Sequence, residues 1–203
     1  MYRTTTQILE DKVDPTITNV VVGPVSCTSG TDGSLTVELD PATITDPTYT
    51  YELYEMSDLV TPFRFAQTSA TFVNLPAGDY RVRVISSKSC DDFYDETVTE
   101  PSVLVVGASA TPFACNASNA VNTSTITVTA SGGTGPYLYS IDNVNFQTSN
   151  TFDITDNGAV QNITVFVTDG NSCPQTAIVA PIQPIKVFTA AVTRNIAISC
   201  ANA

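Results

Sequence analysis

Apolar and polar residues alternate in short runs along this chain, and Gly, Pro, Asn and Asp separate the runs. Leu35, Val37 and Leu39 alternate with Thr36 and Glu38. Tyr49, Tyr51 and Leu53 alternate with Thr50 and Glu52, and Tyr80, Val82 and Val84 with Arg81 and Arg83. Successive side chains of a strand point to opposite faces, so each run predicts a strand with one face in a core and one in water. No stretch shows the period of an amphipathic helix. Many short strands between turn residues predict an all-β fold, a sandwich of the Greek-key, Ig-like kind.

The pattern occurs twice. Ile126 and Val128 take the places of Leu35 and Val37, and Tyr137 and Tyr139 those of Tyr49 and Tyr51. Thr151-Phe152 echoes Thr71-Phe72, and Ile163, Val165 and Val167 follow Tyr80, Val82 and Val84. Proline marks the joints at Asp14-Pro15, Thr99-Glu100-Pro101, Pro181 and Pro184. The apolar runs Ile17 to Val22, Val103 to Val106 and Ile185 to Phe188 follow them as first strands. The chain therefore reads as a piece of a tandem array. Residues 1–16 are the tail of one module, 17–101 and 102–185 are two complete Ig-like repeats, and 186–203 begin another. Proline-stiffened junctions that lead straight into a strand predict an end-to-end arrangement. Leu75-Pro-Ala-Gly78-Asp-Tyr80 matches the tyrosine corner of Greek-key sandwiches, whereas the second repeat has Asp156-Asn-Gly158 there and no tyrosine.

The five cysteines, Cys27, Cys90, Cys115, Cys173 and Cys200, share the same period of about 85 residues. One series runs through Cys27, Cys115 and Cys200, the other through Cys90 and Cys173. Read within each repeat, the spacing predicts bridges Cys27–Cys90 and Cys115–Cys173, with Cys200 unpaired. Such bridges imply an exported protein. The competing reading is five reduced thiols in a cytosolic protein. With no histidine and no C-x-x-C, a zinc site is not expected.

The net charge of −12 argues against nucleic acid as a partner and against an anionic membrane surface. No apolar run is long enough for membrane insertion, and no signal peptide is visible. Lack of histidine removes the usual general base, and no catalytic residue is assigned. The carboxylates Glu52 and Glu55, and Asp91, Asp92, Asp95 and Glu96, could form an acid–base pair. The simpler reading is charge that protects a strand edge. No cofactor is expected. Calcium is the one cation these residues could serve, with Asp91, Asp92, Asp95 and Glu96 as its candidates and Asp46 and Asp58 in neighbouring loops. The second repeat offers only Asp142, Asp153, Asp156 and Asp169, and no Asp-x-Asp-x-Asp-Gly loop exists. Gly132-Gly-Thr-Gly135 precedes a proline and a strand, so it reads as a turn and not a phosphate cradle. Asn116, Asn122 and Asn162 begin N-x-Ser/Thr triplets, which by themselves assign no site, and the density of Thr and Ser leaves O-glycosylation open. Tyrosines at alternating strand positions read as core before they read as a sugar platform.

Gly132-Gly-Thr-Gly-Pro-Tyr137-Leu-Tyr139-Ser, a Thr-Phe pair, and a strand ending Val-Thr-Asp169-Gly-Asn-Ser-Cys173 together resemble the SprB repeat of gliding Bacteroidetes surface adhesins. Leu75-Pro-Ala-Gly78-Asp-Tyr80 is similar to that repeat's other signature, although the first repeat has Ala42-Thr-Ile-Thr-Asp-Pro47 in place of Gly-Gly-Thr-Gly. The resemblance covers most of residues 17–185. It implies a non-enzymatic stalk segment of a long filament, delivered by type IX secretion and used in surface adhesion and gliding motility. It places the chain outside the cell, on a surface reached through its outer-membrane-attached parent. The partners it implies are neighbouring repeats, the gliding and secretion machinery, and a surface polysaccharide. The alternative is a carbohydrate-binding β-sandwich of a secreted protein. A secreted hydrolase has only the carboxylates in its favour.

Overall fold

The computed structural model describes residues 13–115, 118, 120 and 123–186. Cys200, and the tail and start of the flanking modules beyond these limits, lie outside the described residues. Among the described residues, thirteen strands and one three-residue 3-10 turn account for the regular structure. The chain divides into two compact units. Met1–Val106, Ala130–Leu138 and Val167–Gln175 make up the first; Gly107–Thr129, Tyr139–Phe166 and Thr176–Ala203 make up the second.

The first unit is built on a seven-stranded sandwich. One sheet has the order β1-β2-β5, with β1 at Ile17–Gly23, β2 at Gly33–Leu39 and β5 at Thr71–Leu75. The other has the order β4-β3-β6-β7, with β3 at Tyr49–Glu55, β4 at Arg64–Gln67, β6 at Gly78–Ser86 and β7 at Asp91–Val98. All the paired neighbours are antiparallel. The chain crosses between sheets after β2, β4 and β5, which gives the Greek-key connection of Ig-like sandwiches.

The alternation in the sequence maps directly onto this packing. Along β6, Tyr80, Val82, Val84 and Ser86 are buried, while the side chains between them are only partly covered. Tyr80, Val82 and Val84 meet Leu35, Val37, Leu53, Phe72 and Leu75 in one core. The corner forms as the sequence predicts, since the Tyr80 hydroxyl donates to the Pro76 carbonyl at 3.0 Å. Asp40 starts the 3-10 turn Pro41–Thr43 by accepting from the Ala42 amide at 2.9 Å. Both edges of the four-stranded sheet are protected. Strand β4 has only four residues, and β7 carries Asp91, Asp92, Asp95 and Glu96.

The second repeat supplies two three-stranded sheets. One is ordered β11-β9-β8, from β8 at Val105–Ala110, β9 at Ser124–Ser131 and β11 at Thr151–Ile154. The other is ordered β10-β12-β13, from β10 at Leu138–Ser140, β12 at Thr164–Thr168 and β13 at Pro174–Ile178. Ile126, Val128, Val165 and Val167 are fully buried, like Leu35, Val82 and Val84 in the first repeat. Strand β8 begins at Val105, two residues later than the apolar run suggests. Before it, the Ser102 carbonyl accepts from the Gly133 amide at 2.8 Å and the Leu104 carbonyl from Gln175 Nε2 at 3.4 Å. These carbonyls are therefore committed outside the sheet. In place of the corner, Asp156 accepts from the Gly158 and Ile185 amides, each at 2.8 Å.

Candidate functional site

The chemistry of this chain centres on one covalent bond, Cys27–Cys173, in the first unit. Cys27 sits in the loop from β1 to β2, which is fastened to the end of β7. The Val25 amide donates to the Thr99 carbonyl at 2.9 Å and the Thr28 hydroxyl to the Pro101 carbonyl at 3.0 Å. Asp32 closes the loop by accepting from the Ser26 amide at 3.0 Å. Hydrogen bonds from the Ser26 side chain and backbone hold the Asp32 carboxyl below its usual pKa.

Cys173 stands at the tip of the β12–β13 hairpin, where Asp169 organises the turn. Its Oδ1 accepts from the Asn171 amide at 3.0 Å and the Cys173 amide at 2.8 Å. Its Oδ2 accepts from the Thr134 amide at 2.9 Å. The residue is only 4% exposed. Burial by itself would raise the pKa, but backbone hydrogen bonds from Thr134, Cys173 and Asn171 outweigh it and hold the carboxyl below the ordinary value. Gly133 has φ +58°, and a Cβ there would meet Asp169 Oδ2 at 2.6 Å, so this turn requires glycine. Asn171 Nδ2 reaches across to the Ser26 carbonyl at 2.9 Å and sets the two loops side by side. The Cys27 and Cys173 Cα atoms are then 5.7 Å apart, within normal disulfide range.

The bond replaces both bridges predicted from the spacing. Cys27 cannot reach Cys90, because they lie at opposite ends of β7. Cys90 immediately precedes the strand, and the Cys27 loop is bonded to Thr99 just after it. Eight residues at about 3.3 Å each separate the ends by roughly 26 Å, far beyond a disulfide's span. Cys90 remains a buried thiol and Cys115 an exposed one. Cys115 precedes the Ser124 end of β9, while Asp169 is bonded to Thr134, past the Ser131 end. A common period cannot distinguish pairing within a repeat from pairing between repeats, so the sequence alone missed the clasp. The usable signal was the length of β7, which keeps the two cysteine positions of one repeat apart.

The candidate calcium ligands do not converge. On β7, Asp91 and Asp95 lie on one face and Asp92 and Glu96 on the other. Arg83 holds Asp91 at 2.6 Å and Arg81 holds Asp95 at 2.6 Å. Hydrogen bonding to Arg81 lowers the Asp95 pKa despite some desolvation. Asp92 accepts from the Ile17 amide at 2.8 Å. Among the described residues no group of three or more His, Cys, Asp or Glu side chains is arranged to hold a metal ion. Asp46 is buried and pairs with Lys88 at 3.0 Å. Hydrogen bonds from Ser86 and Lys88 lower its pKa. Asp58 caps a turn through the Val60 and Thr61 amides, and Asp142 accepts from Ser140, Val144 and Asn145. The Asn145 bonds lead in holding the Asp142 carboxyl well below the carboxylate range. Asp153 accepts from the Thr125 hydroxyl. Glu52 is taken by Tyr54 at 2.8 Å and Arg83 at 3.3 Å, and Glu55 accepts from Ser57. Tyr51, Tyr54 and Tyr80 are buried, so they do not form a sugar platform. Asn162 is exposed, and Asn116 and Asn122 lie outside the described residues.

Replacing Asp169 with Ala should loosen the clasp. It leaves three backbone amides without their acceptor, a cost of about 1–3 kcal/mol. Oxidative refolding in a glutathione buffer should then give a Cys27–Cys173 bond about tenfold easier to reduce, since 1.4 kcal/mol is a factor of ten. The pH effect has a definite sign. Because the folded pKa is depressed, the carboxylate's contribution is complete above the ordinary value of 3.8 and is lost as pH falls through the folded pKa. Wild type should therefore approach the mutant only in acid, below about pH 4. An equal bond equilibrium in both proteins at pH 7 would refute the role assigned to Asp169.

Two β-sandwich repeats joined by a disulfide define a tandem Ig-like repeat protein. The SprB-repeat family model matches residues 19–57 and 107–146, so two segments of this chain are SprB repeats. No curated protein matches the chain in sequence. Among solved structures, the three N-terminal domains of the highly immunogenic outer capsid protein (Hoc) of bacteriophage RB49 match at 15% identity with a TM-score of 0.52. The match covers 84% of this chain and 59% of that one, and it speaks to the fold alone. An amphioxus IgVJ-C2 molecule matches at 13% identity over 78% of this chain and 99% of its own, with a TM-score of 0.33. The fibronectin(III)-like modules of Clostridium thermocellum CbhA match at 14% identity over 87% and 100%, with a TM-score of 0.31. Scores this low add nothing to the fold assignment. The SprB match at these two segments suggests a repeat segment of an adhesin-like cell-surface protein. Among the described residues no helix is long and apolar enough to cross a membrane.

Proposed function

We propose that this chain is a load-bearing, non-catalytic stalk segment of a surface adhesin filament that serves attachment and gliding. The observation that carries this reading is the Cys27–Cys173 bond, which ties the first SprB-matched segment, residues 19–57, to a hairpin that follows the second, residues 107–146. Tension applied along the chain enters at Cys27, crosses the disulfide and leaves at Cys173. Residues 28–172, which hold nearly all of both sandwiches, are outside that path. A segment in which strands β2 to β12 are spared tension suits a stalk, whose task is to transmit force with little change of length. A disulfide also fits an oxidising location outside the cytosol. Export by type IX secretion, attachment to the outer membrane through the parent protein, and partnership with the gliding machinery belong to the same proposal, supported by the SprB match. A polysaccharide ligand would be bound elsewhere in the filament.

The test uses intact cells of the source bacterium. Antibody raised against the chain should label unpermeabilised cells and reduce their attachment and gliding on glass. Labelling that requires permeabilisation would remove the surface role, and surface labelling without any effect on attachment or movement would remove the adhesive one.

A further inference from the structure

Among the described residues two cysteines are left over from the clasp, and each occupies the position of a bonded one in the other repeat. Pro24-Val25-Ser26-Cys27 is matched by Pro112-Phe113-Ala114-Cys115, with Val25 and Phe113 both buried. Cys90 is matched by Cys173 through the same hairpin. The Ser86 amide donates to the Cys90 carbonyl at 2.8 Å, and the Asp169 amide to the Cys173 carbonyl at 3.2 Å. Ser89 and Ser172, each just before the cysteine, have φ +62° and +66°. The Cys90 amide donates to Ser86 Oγ at 3.3 Å, and the Cys173 amide to Asp169 Oδ1 at 2.8 Å.

The observed bond thus joins the loop cysteine of one repeat to the hairpin cysteine of the next. Resting on the repeat-array reading above, we infer that Cys115 is the half-site for the same bond to the hairpin cysteine of a repeat placed after the second. By the same register, Cys90 is the half-site for the loop cysteine of a preceding repeat. Cys115 is exposed and unbonded, as a loop cysteine awaiting its partner must be. The β7 argument applies to every repeat of this plan, so pairing within a repeat is closed to it. Each bond forms when two thiols lose two protons and two electrons to a small disulfide oxidant, which is reduced to two thiols. An array bonded in this way is stitched from each repeat to the next by overlapping loops. Between successive bridges only a junction such as Cys90–Cys115 carries tension as open chain, at most about 90 Å when fully extended.

The test replaces residues 186–203 with a copy of residues 102–185, so that the second repeat is followed by another. The copy carries Ile178→Val, at a position 76% exposed, as a mass tag. After oxidation and alkylation, peptide mapping should find Cys27 joined to the untagged Cys173 and Cys115 joined to the tagged one, with Cys90 alkylated. Changing Cys115→Ser should abolish only the second link. The inference fails if Cys115 is alkylated while Cys27–Cys173 forms, if Cys115 joins the untagged Cys173 or Cys90, or if Cys27–Cys173 itself does not form. None of these outcomes bears on whether the chain reaches the cell surface, so the stalk reading is tested separately.

Discussion

Pulled from its two ends, the oxidised chain should reach a contour length roughly 500 Å shorter than the reduced chain. The bridge closes a loop of sequence separation 146, and an extended residue spans about 3.3–3.6 Å. While the bond holds, tension bypasses residues 28–172 and the strands β2 to β12 within them, and only β1 and β13 stay on the loaded path. Reductant, or Cys27→Ser, places the whole chain under tension and should add two unfolding events to the force trace. The bridges expected from the sequence would have given a different signature, two separate loops of about 60 residues. Equal contour lengths with and without reductant would show that tension does not pass through Cys27–Cys173. The stalk mechanism would fall with it.

Phe72→Ala should have the largest effect on equilibrium stability, about 3–5 kcal/mol. Phe72 is 1% exposed and lies on β5 opposite Leu35 of β2, with Leu53, Tyr80 and Val82 in the same core. Truncation removes a whole ring from a site fixed by both sheets, so the cavity can collapse only in part. Domains of this size have total stabilities of about 5–15 kcal/mol, so the substitution should move the first unit close to its unfolding threshold. Phe65→Ala on β4 is the control. That side chain is 76% exposed, and its removal should change stability by less than about 0.5 kcal/mol. Urea unfolding followed by tyrosine fluorescence distinguishes the two. Similar midpoints for both variants would show that the sandwich core is not built on Phe72.

The fold was largely legible because it rests on local pattern. Leu35, Val37, Val82 and Val84, and their counterparts Ile126, Val128, Val165 and Val167, are all buried where alternation placed them. The tyrosine corner at Tyr80 was legible for a related reason, as the residues it joins are only four apart. The acidic cluster on β7 was harder to read. Its four carboxylates are close in sequence, but the pleat sends Asp91 and Asp95 to one face and Asp92 and Glu96 to the other. There the arginines of β6 and the Ile17 amide of β1 take up Asp91, Asp95 and Asp92.

Two features mark the boundary between sequence and tertiary structure. Strands, core residues and the repeat follow from side-chain periodicity, which each segment carries within itself, so the sequence alone determined them. Cysteine partners depend on which strand ends lie together, and the period was silent on that. Strand β7 holds Cys90 at one end of the sandwich and the Cys27 loop at the other, and Asn171 brings Ser26 beside the hairpin of the second repeat. Only that long-range geometry turns two expected bridges within repeats into one bond between them, because a disulfide needs Cα atoms within about 7 Å and takes no account of sequence spacing.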